Sequence, residues 1–333
     1  MKRFLQFLHR ENLLQLLGVI LVIVLTSATA ISWFEPEITF VNGLWWSIVT
    51  LTTVGYGDIS PNSAGGRVVA IVIMFFGIGL LGMLSASLAA IIISKKMREN
   101  KGMCNASMND HIILCEWNHR ARAILAELRA DPHTAEAAIV LIADVEEKPL
   151  DDPHLFFVKG VVNEESLERA NLNQAKTVVV LGDDQLEATS RDAKVVLTTL
   201  AIESLNNNTY TVVELVDQKN VQHCKRAHAD EIIVGSELSS HLIASAAVDH
   251  GISQIVSELL SAQYGNELFS TAVPPDMVDH PFIDIFVKMK KEQQSTVLGV
   301  KKRGNGELLS NPPAEYVVQA GDTLVVVSCE RMK

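Results

Sequence analysis

Cysteine is scarce in this chain of 333 residues: Cys104, Cys115, Cys224 and Cys329 are the only four, and none forms a CxxC pair. That spacing excludes zinc clusters and a disulfide framework and points to reduced thiols in a cytoplasmic compartment. Excess positive charge is missing too. The chain has 28 Lys and Arg against 39 Asp and Glu, a formal charge of −11, which excludes nucleic-acid binding by the molecule as a whole. No helix carries a repeat of arginines, so no voltage sensor is expected. No GxGxxG opens a helix after a predicted strand, and no Ser/His/Asp elbow or Cys/His pairing supplies a nucleophile. An enzyme is not expected.

Apolar residues, by contrast, are abundant. They make up 48% of the chain, and mean hydropathy is +0.21 despite 20% charged residues. The charge is unevenly divided: residues 1–101 carry a small positive excess, and residues 102–333 hold 20 basic against 34 acidic side chains. The two parts are built for different solvents. Leu13 to Phe34 contains no charged residue over 22 positions, and a second apolar run extends from Val68 to Ser94. Each is long enough for a helix that crosses a bilayer. Lys2, Arg3 and Arg10 precede the first run, and Lys95, Lys96, Arg98 and Lys101 follow the second. A cleaved signal peptide is disfavoured by the length of the first run and by the presence of the second. The positive-inside bias puts both termini in the cytoplasm of a multi-pass protein of the plasma membrane.

Between the spans, Asn42 to Leu51 is too apolar for an exposed loop and too short to span, which predicts a re-entrant helix surrounded by protein. It leads into Thr52-Thr53-Val54-Gly55-Tyr56-Gly57-Asp58. WWSIVTL followed by TTVGYGD resembles the pore helix and selectivity filter of potassium channels. That resemblance implies a homotetramer in which the carbonyls of Thr53, Val54, Gly55, Tyr56 and Gly57 replace the hydration shell of the permeant K⁺. Gly55 and Gly57 permit the backbone dihedrals such a row requires. Trp45 and Trp46 are expected to brace Tyr56. Val49 stands where some of these channels carry a carboxylate, which leaves the Trp45 indole as the expected partner of Asp58. In the second span, the resemblance makes Gly79 the gating hinge, with Gly77 as runner-up; the competing reading for both is close helix packing.

From residue 111 onward, short β-branched runs alternate with helical segments: His111–Cys115, Ala138–Ala143, Leu155–Lys159, Thr177–Leu181, Thr209–Leu215 and Glu231–Val234 read as strands. The pattern predicts a parallel, doubly wound sheet that binds ligands beyond the carboxyl ends of its strands. HIILCEWNHRARAILAEL and KGVVNEESLERANLNQAKTVVVLGDD resemble parts of the regulator of K⁺ conductance (RCK) domain. Thr296 to Ser328, with its turn Gly304-Asn305-Gly306, resembles that family's small C-terminal lobe. The implied fold is a membrane α-helical pore module, with two transmembrane helices and a re-entrant pore helix, followed by an α/β Rossmann-like RCK domain and a small α+β lobe. The expected boundaries are pore 1–97, linker 98–110, Rossmann-like domain 111–240, helical crossover and dimerisation segment 241–265, and C-terminal lobe 266–333.

Two ligands are candidates. NAD or an adenine nucleotide would contact the turn Glu116-Trp117-Asn118-His119-Arg120 with its phosphates and Asp144 with its ribose, although Glu116, Asn118 and Ala121 stand where the dinucleotide fingerprint has glycines. Ca²⁺ would use carboxylates such as Glu214 and Asp184. The alternatives are a ligand-free scaffold and a solvated acidic rim. The family commonly builds a gating ring of eight RCK domains, and each chain here supplies one. Internal starts at Met103 or Met108 would release soluble copies to complete the ring. The competing function is a membrane subunit of a K⁺ uptake transporter with its regulatory domain fused on; one repeat and an intact TVGYG disfavour it.

Overall fold

The computed structural model describes residues 13–304 and 306–329. Lys2, Arg3, Arg10 and Asn305 lie outside the described residues. The chain divides into two compact units between Glu99 and Asn100.

The first unit has three helices: α1 (Leu13–Phe34), α2 (Phe40–Leu51) and α3 (Ala64–Asn100). Both α1 and α3 have the length and apolarity to cross a membrane, whereas α2 is too short. Thr39 caps α2, its hydroxyl accepting from the Asn42 N–H at 3.4 Å. Val24, Ile31, Trp46, Leu51, Ala70 and Ile73 form the buried centre of the unit. At Gly43 the helices approach closely: an added Cβ would lie 2.8 Å from the Ala28 carbonyl oxygen. The linker expected from Arg98 begins later, because α3 continues to Asn100. Arg98 and Glu99 are good helix formers and carry the apolar helix past residue 97 to Asn100.

The second unit opens with β1 (His111–Cys115), α4 (His119–Ala130), β2 (Ile139–Ala143), β3 (Leu155–Lys159), α5 (Glu164–Arg169) and β4 (Ala175–Val180). It continues with α6 (Ala188–Leu205), β5 (Tyr210–Leu215), α7 (Val221–Arg226) and β6 (Glu231–Val234). The six strands form one parallel sheet in the order β3-β2-β1-β4-β5-β6, which reverses direction between β1 and β4. All five residues of β2 are buried, as befits a strand covered on both faces. Ile113, Val140, Val178 and Val213 pack on one side of the sheet, and Leu114, Leu141, Leu125 and Phe157 on the other.

The helical crossover starts at Gly235, directly after β6, and not at residue 241: α8 (Gly235–Val248) is followed by α9 (Ile252–Leu260). The C-terminal lobe consists of β7 (Glu267–Ala272), α10 (Phe282–Gln293), β8 (Thr296–Lys301), β9 (Leu308–Ser310) and β10 (Thr323–Ser328). Its antiparallel sheet runs β7-β10-β8-β9. Phe282, Ile285 and Met289 lie on one face of α10 and pack against Val297, Val300, Leu324 and Val326.

Candidate functional site

In the first unit, α2 delivers the chain into a turn whose backbone alternates in sign. Thr53, Gly55 and Gly57 have φ of 60°, 55° and 76°, whereas Val54 and Tyr56 do not enter the positive range. Glycine meets this demand freely at 55 and 57, while β-branched Thr53 is held there against its preference. The Val49 carbonyl accepts from the Val54 and Gly55 N–H groups at 3.0 and 3.3 Å, so the end of α2 holds the start of the turn. The Trp45 indole N–H donates to Asp58 Oδ2 at 2.9 Å, the expected partnership. Trp45 also stacks on Tyr56, with ring centroids 6.0 Å apart and 8° between the planes. Trp46 does not join that stack. One residue on, it is turned about 100° around the helix and is buried in the centre of the unit. Glu35, just past α1, accepts from the Asn62 and Ser63 N–H groups at 2.8 and 2.6 Å and fixes the entrance to α3. These bonds, led by that from Ser63, hold its carboxyl below the usual range.

The two candidate hinge glycines differ. A Cβ on Gly77 would lie 3.2 Å from the Leu51 side chain, so Gly77 lets α3 pack against α2. Gly79 has nothing within 4 Å in its own chain, so packing within the chain does not account for it. The helix runs unbroken through both.

In the second unit the nucleotide and cation candidates meet at the carboxyl ends of β1, β4 and β5. Glu116 follows β1 with φ of 75°, the backbone expected of a glycine at that turn. Its carboxylate accepts from Lys194 Nζ at 2.6 Å, and Lys194 also reaches Asp183 at 3.0 Å. Burial alone would lower the Lys194 pKa, but the bonds to Glu116 and Asp183 outweigh it and raise the value. Asn118 caps α4 by accepting from the Ala121 N–H at 2.9 Å, and its amide donates to the Gly182 carbonyl at 3.0 Å. Arg120 bridges the two carboxylates proposed for Ca²⁺: its Nε lies 2.8 Å from Glu214 Oε1, and its Nη2 lies 2.6 Å from Asp184 Oδ1. Arg191 adds a contact to Asp184 at 3.3 Å. Among the described residues, no three His, Cys, Asp or Glu side chains gather to hold a metal.

The remaining candidates stand apart from this network. Trp117 lies under the Arg122 guanidinium, 5.8 Å from the ring centroid, so Arg122 faces the indole. His119 and Asp144 are exposed, the latter just beyond β2. In sequence, Asp183 counts among the acidic residues at strand ends that suit a cation, whereas nothing singles out Arg191 and Lys194. The visible signal was Gly182-Asp183-Asp184 after a strand, with two cations three residues apart on the next helix, hence on one face. Cys115 and Cys224 are buried and unpaired. Burial, helped by Asp192, pushes the Cys224 thiol up to about 11.

A family described as ion channel matches residues 19–94. One described as the calcium-activated potassium channel slowpoke-like RCK domain matches 107–213, and one described as Castor and Pollux, part of voltage-gated ion channel, matches 236–333. A calcium-gated potassium channel of Thermoplasma volcanium is 34% identical over 87% of this chain and 82% of its own length. Potassium channel protein 1 of Methanocaldococcus jannaschii is 25% identical over 92% of each chain. The gating ring of human SLO3 superposes on 66% of this chain and 44% of its own, with a TM-score of 0.53 at 14% identity, a likeness of fold.

Proposed function

The chain belongs to the family of potassium channels that join a two-helix pore to an RCK domain, and from that premise we propose a homotetrameric, voltage-independent K⁺ channel whose RCK unit sets the open probability. The observation that carries this reading is the alternating backbone of 53–57, which requires left-handed geometry at the residues that flank each side chain of the row. Four such segments around an axis offer K⁺ successive rings of carbonyl oxygens in place of water. Trp45 holds the outer end through Asp58 and Tyr56, and Gly79 is the position where α3 bends. The plasma membrane contains both spans, with both termini in the cytoplasm.

In their present arrangement the crevice residues fit neither candidate ligand. A pyrophosphate would meet the Glu116 carboxylate where the fingerprint has bare backbone. A calcium ion would find Glu214 and Asp184 already bound to Arg120. The calcium-gated relative supports a divalent cation, while exposed Asp144 at the end of β2 supports a ribose contact. Purified channels in planar bilayers, titrated separately with Ca²⁺, NAD⁺, NADH, ADP and ATP, decide between them. A response to Ca²⁺ that Glu214→Ala removes identifies the cation. A nucleotide response that Asp144→Ala removes identifies the other. Open probability set by voltage alone contradicts the reading.

The gating ring includes soluble copies that begin at Met103. This methionine is exposed, and a copy starting there keeps the bond from the Ala106 N–H to the Arg169 carbonyl; one starting at Met108 loses it. Expression followed by mass spectrometry should show a short species that Met103→Ile removes. A single full-length product, unchanged by Met103→Ile and Met108→Ile, refutes internal initiation.

A further inference from the structure

The segment that reads in sequence as a polar linker is bound to the Rossmann-like domain along its length. The Lys148 N–H donates to the carbonyl of Asn100, the last residue of α3, at 2.7 Å. The Gly102 carbonyl accepts from the Lys159 N–H at 3.1 Å and from Arg169 Nη2, and Arg169 Nη1 reaches the Lys159 carbonyl at 3.2 Å. Further along, the Ala106 N–H donates to the Arg169 carbonyl at 2.7 Å, Asn171 Nδ2 to the Met108 carbonyl at 2.8 Å, and the Asp110 N–H to the Gln174 carbonyl at 2.8 Å.

Gly102 is required for two reasons. Its φ is 64°, and a Cβ there would sit 2.3 Å from the Lys159 nitrogen and 2.9 Å from Phe157 Cδ1. The backbone at 102 is therefore pressed against β3, with the Arg169 fork closing over its carbonyl. A charge-assisted donor shared by two carbonyls is stronger than a neutral pair.

We propose that Gly102 and Arg169 form a clasp that ties the end of α3 to β3, so that movement of this sheet edge reaches the pore helix directly and residues 103–110 carry no load. The proposal rests on the reading of a pore controlled by the RCK unit. Length is the physical reason for such a device. Eight free residues can extend over roughly 26–29 Å, enough slack to absorb a domain shift of a few ångströms. With the clasp closed, only Lys101 separates Gly102 from the end of the helix, where the Lys148 N–H adds a single neutral bond to the Asn100 carbonyl. Arg169 is a positioning residue here: it touches neither ion nor ligand.

The test inserts three glycines into the full-length channel at either of two places, between Lys101 and Gly102 or between Cys104 and Asn105. Open probability is recorded in bilayers without additions, then with Ca²⁺ and, separately, ADP. The first insertion should change open probability by about tenfold or more and abolish any response, while the second stays within about twofold of wild type. Arg169→Ala should behave like the first insertion, and Arg169→Lys should retain part of the coupling. Should the insertion before Gly102 impair folding, Arg169→Ala alone decides. A merely structural role for the lacing predicts equal effects at both places, since both insertions disturb the same segment. Equal effects, a larger effect from the second insertion, or no effect from either insertion or from Arg169→Ala overturns the clasp. Should wild type respond to neither probe, open probability without additions decides by the same criteria. Failure of the channel reading looks different: wild-type current would then show no preference for K⁺.

Discussion

Gly55→Ala should abolish selectivity for K⁺ over Na⁺, by closing the pore or by leaving an unselective leak. Gly55 has φ of 55° and no neighbour within 4 Å of an added Cβ in its own chain, so the penalty is one of backbone and not of collision. Holding a residue with a Cβ in the left-handed region costs about 1–2 kcal/mol. Four subunits multiply this to about 4–8 kcal/mol, a large fraction of what stabilises a domain. The backbone escapes by rotating the peptide, which turns a carbonyl out of the row and replaces a K⁺ ligand with an N–H. Reversal potentials under a K⁺/Na⁺ gradient check this, and wild-type selectivity in Gly55→Ala would refute the filter assignment. Gly18→Ala makes a suitable control: Gly18 also has nothing within 4 Å of an added Cβ, but its φ is not positive.

Phe157→Ala should destabilise the second unit by about 3–5 kcal/mol, the range for a large aromatic side chain deleted from a core. Phe157 is 1% exposed, sits opposite Leu141 across the β2–β3 pairing, and packs with Leu114, Leu125 and Leu155. It also forms the floor beneath Gly102, so its loss should loosen the linker as well as the sheet. At a factor of ten per 1.4 kcal/mol, amides of β1, β2 and β3 that exchange only through global opening should exchange roughly 100- to 3000-fold faster. Val161→Ala, at an exposed position shortly after the same strand, should stay within about 0.5 kcal/mol of wild type. Unchanged exchange in Phe157→Ala would show that this face of the sheet is not packed as described.

The features legible in the sequence were those made by neighbours in sequence. The pore turn is specified by seven consecutive residues and a helix immediately before them, and the Trp45–Asp58 pair is what the resemblance to potassium-channel filters implies once position 49 is valine; the indole donates to Asp58 at 2.9 Å. Strand β2 is apolar throughout and β1 is apolar after His111, because a parallel sheet buries both their faces, which makes them conspicuous. By contrast, β7 is not legible: ELFSTA buries only Phe269, and a strand covered on one side by so few residues leaves little pattern. In α10, Phe282, Ile285 and Met289 recur at helical spacing, so this helix is legible from its apolar period.

The crevice was legible as a place but not as a set of contacts. Position 116 is one where the dinucleotide fingerprint has glycine, and Glu116 has a φ of 75°. That its carboxylate would meet Lys194, or that Arg120 would lie between Glu214 and Asp184, depends on strands brought together by the fold. The same holds for Gly102. Nothing in KGMCN indicates that this glycine lies against Lys159 and Phe157, because its neighbours come from β3.

The central claim is that four copies of the 53–57 segment conduct K⁺ selectively under control of the RCK unit. The most direct test is the reversal potential of the purified wild-type channel in a planar bilayer with K⁺ on one side and Na⁺ on the other. The account predicts a current that reverses near the K⁺ equilibrium potential, with an open probability that does not depend on membrane voltage. A reversal potential near zero, or no single-channel current under any of the ligands titrated, would contradict it.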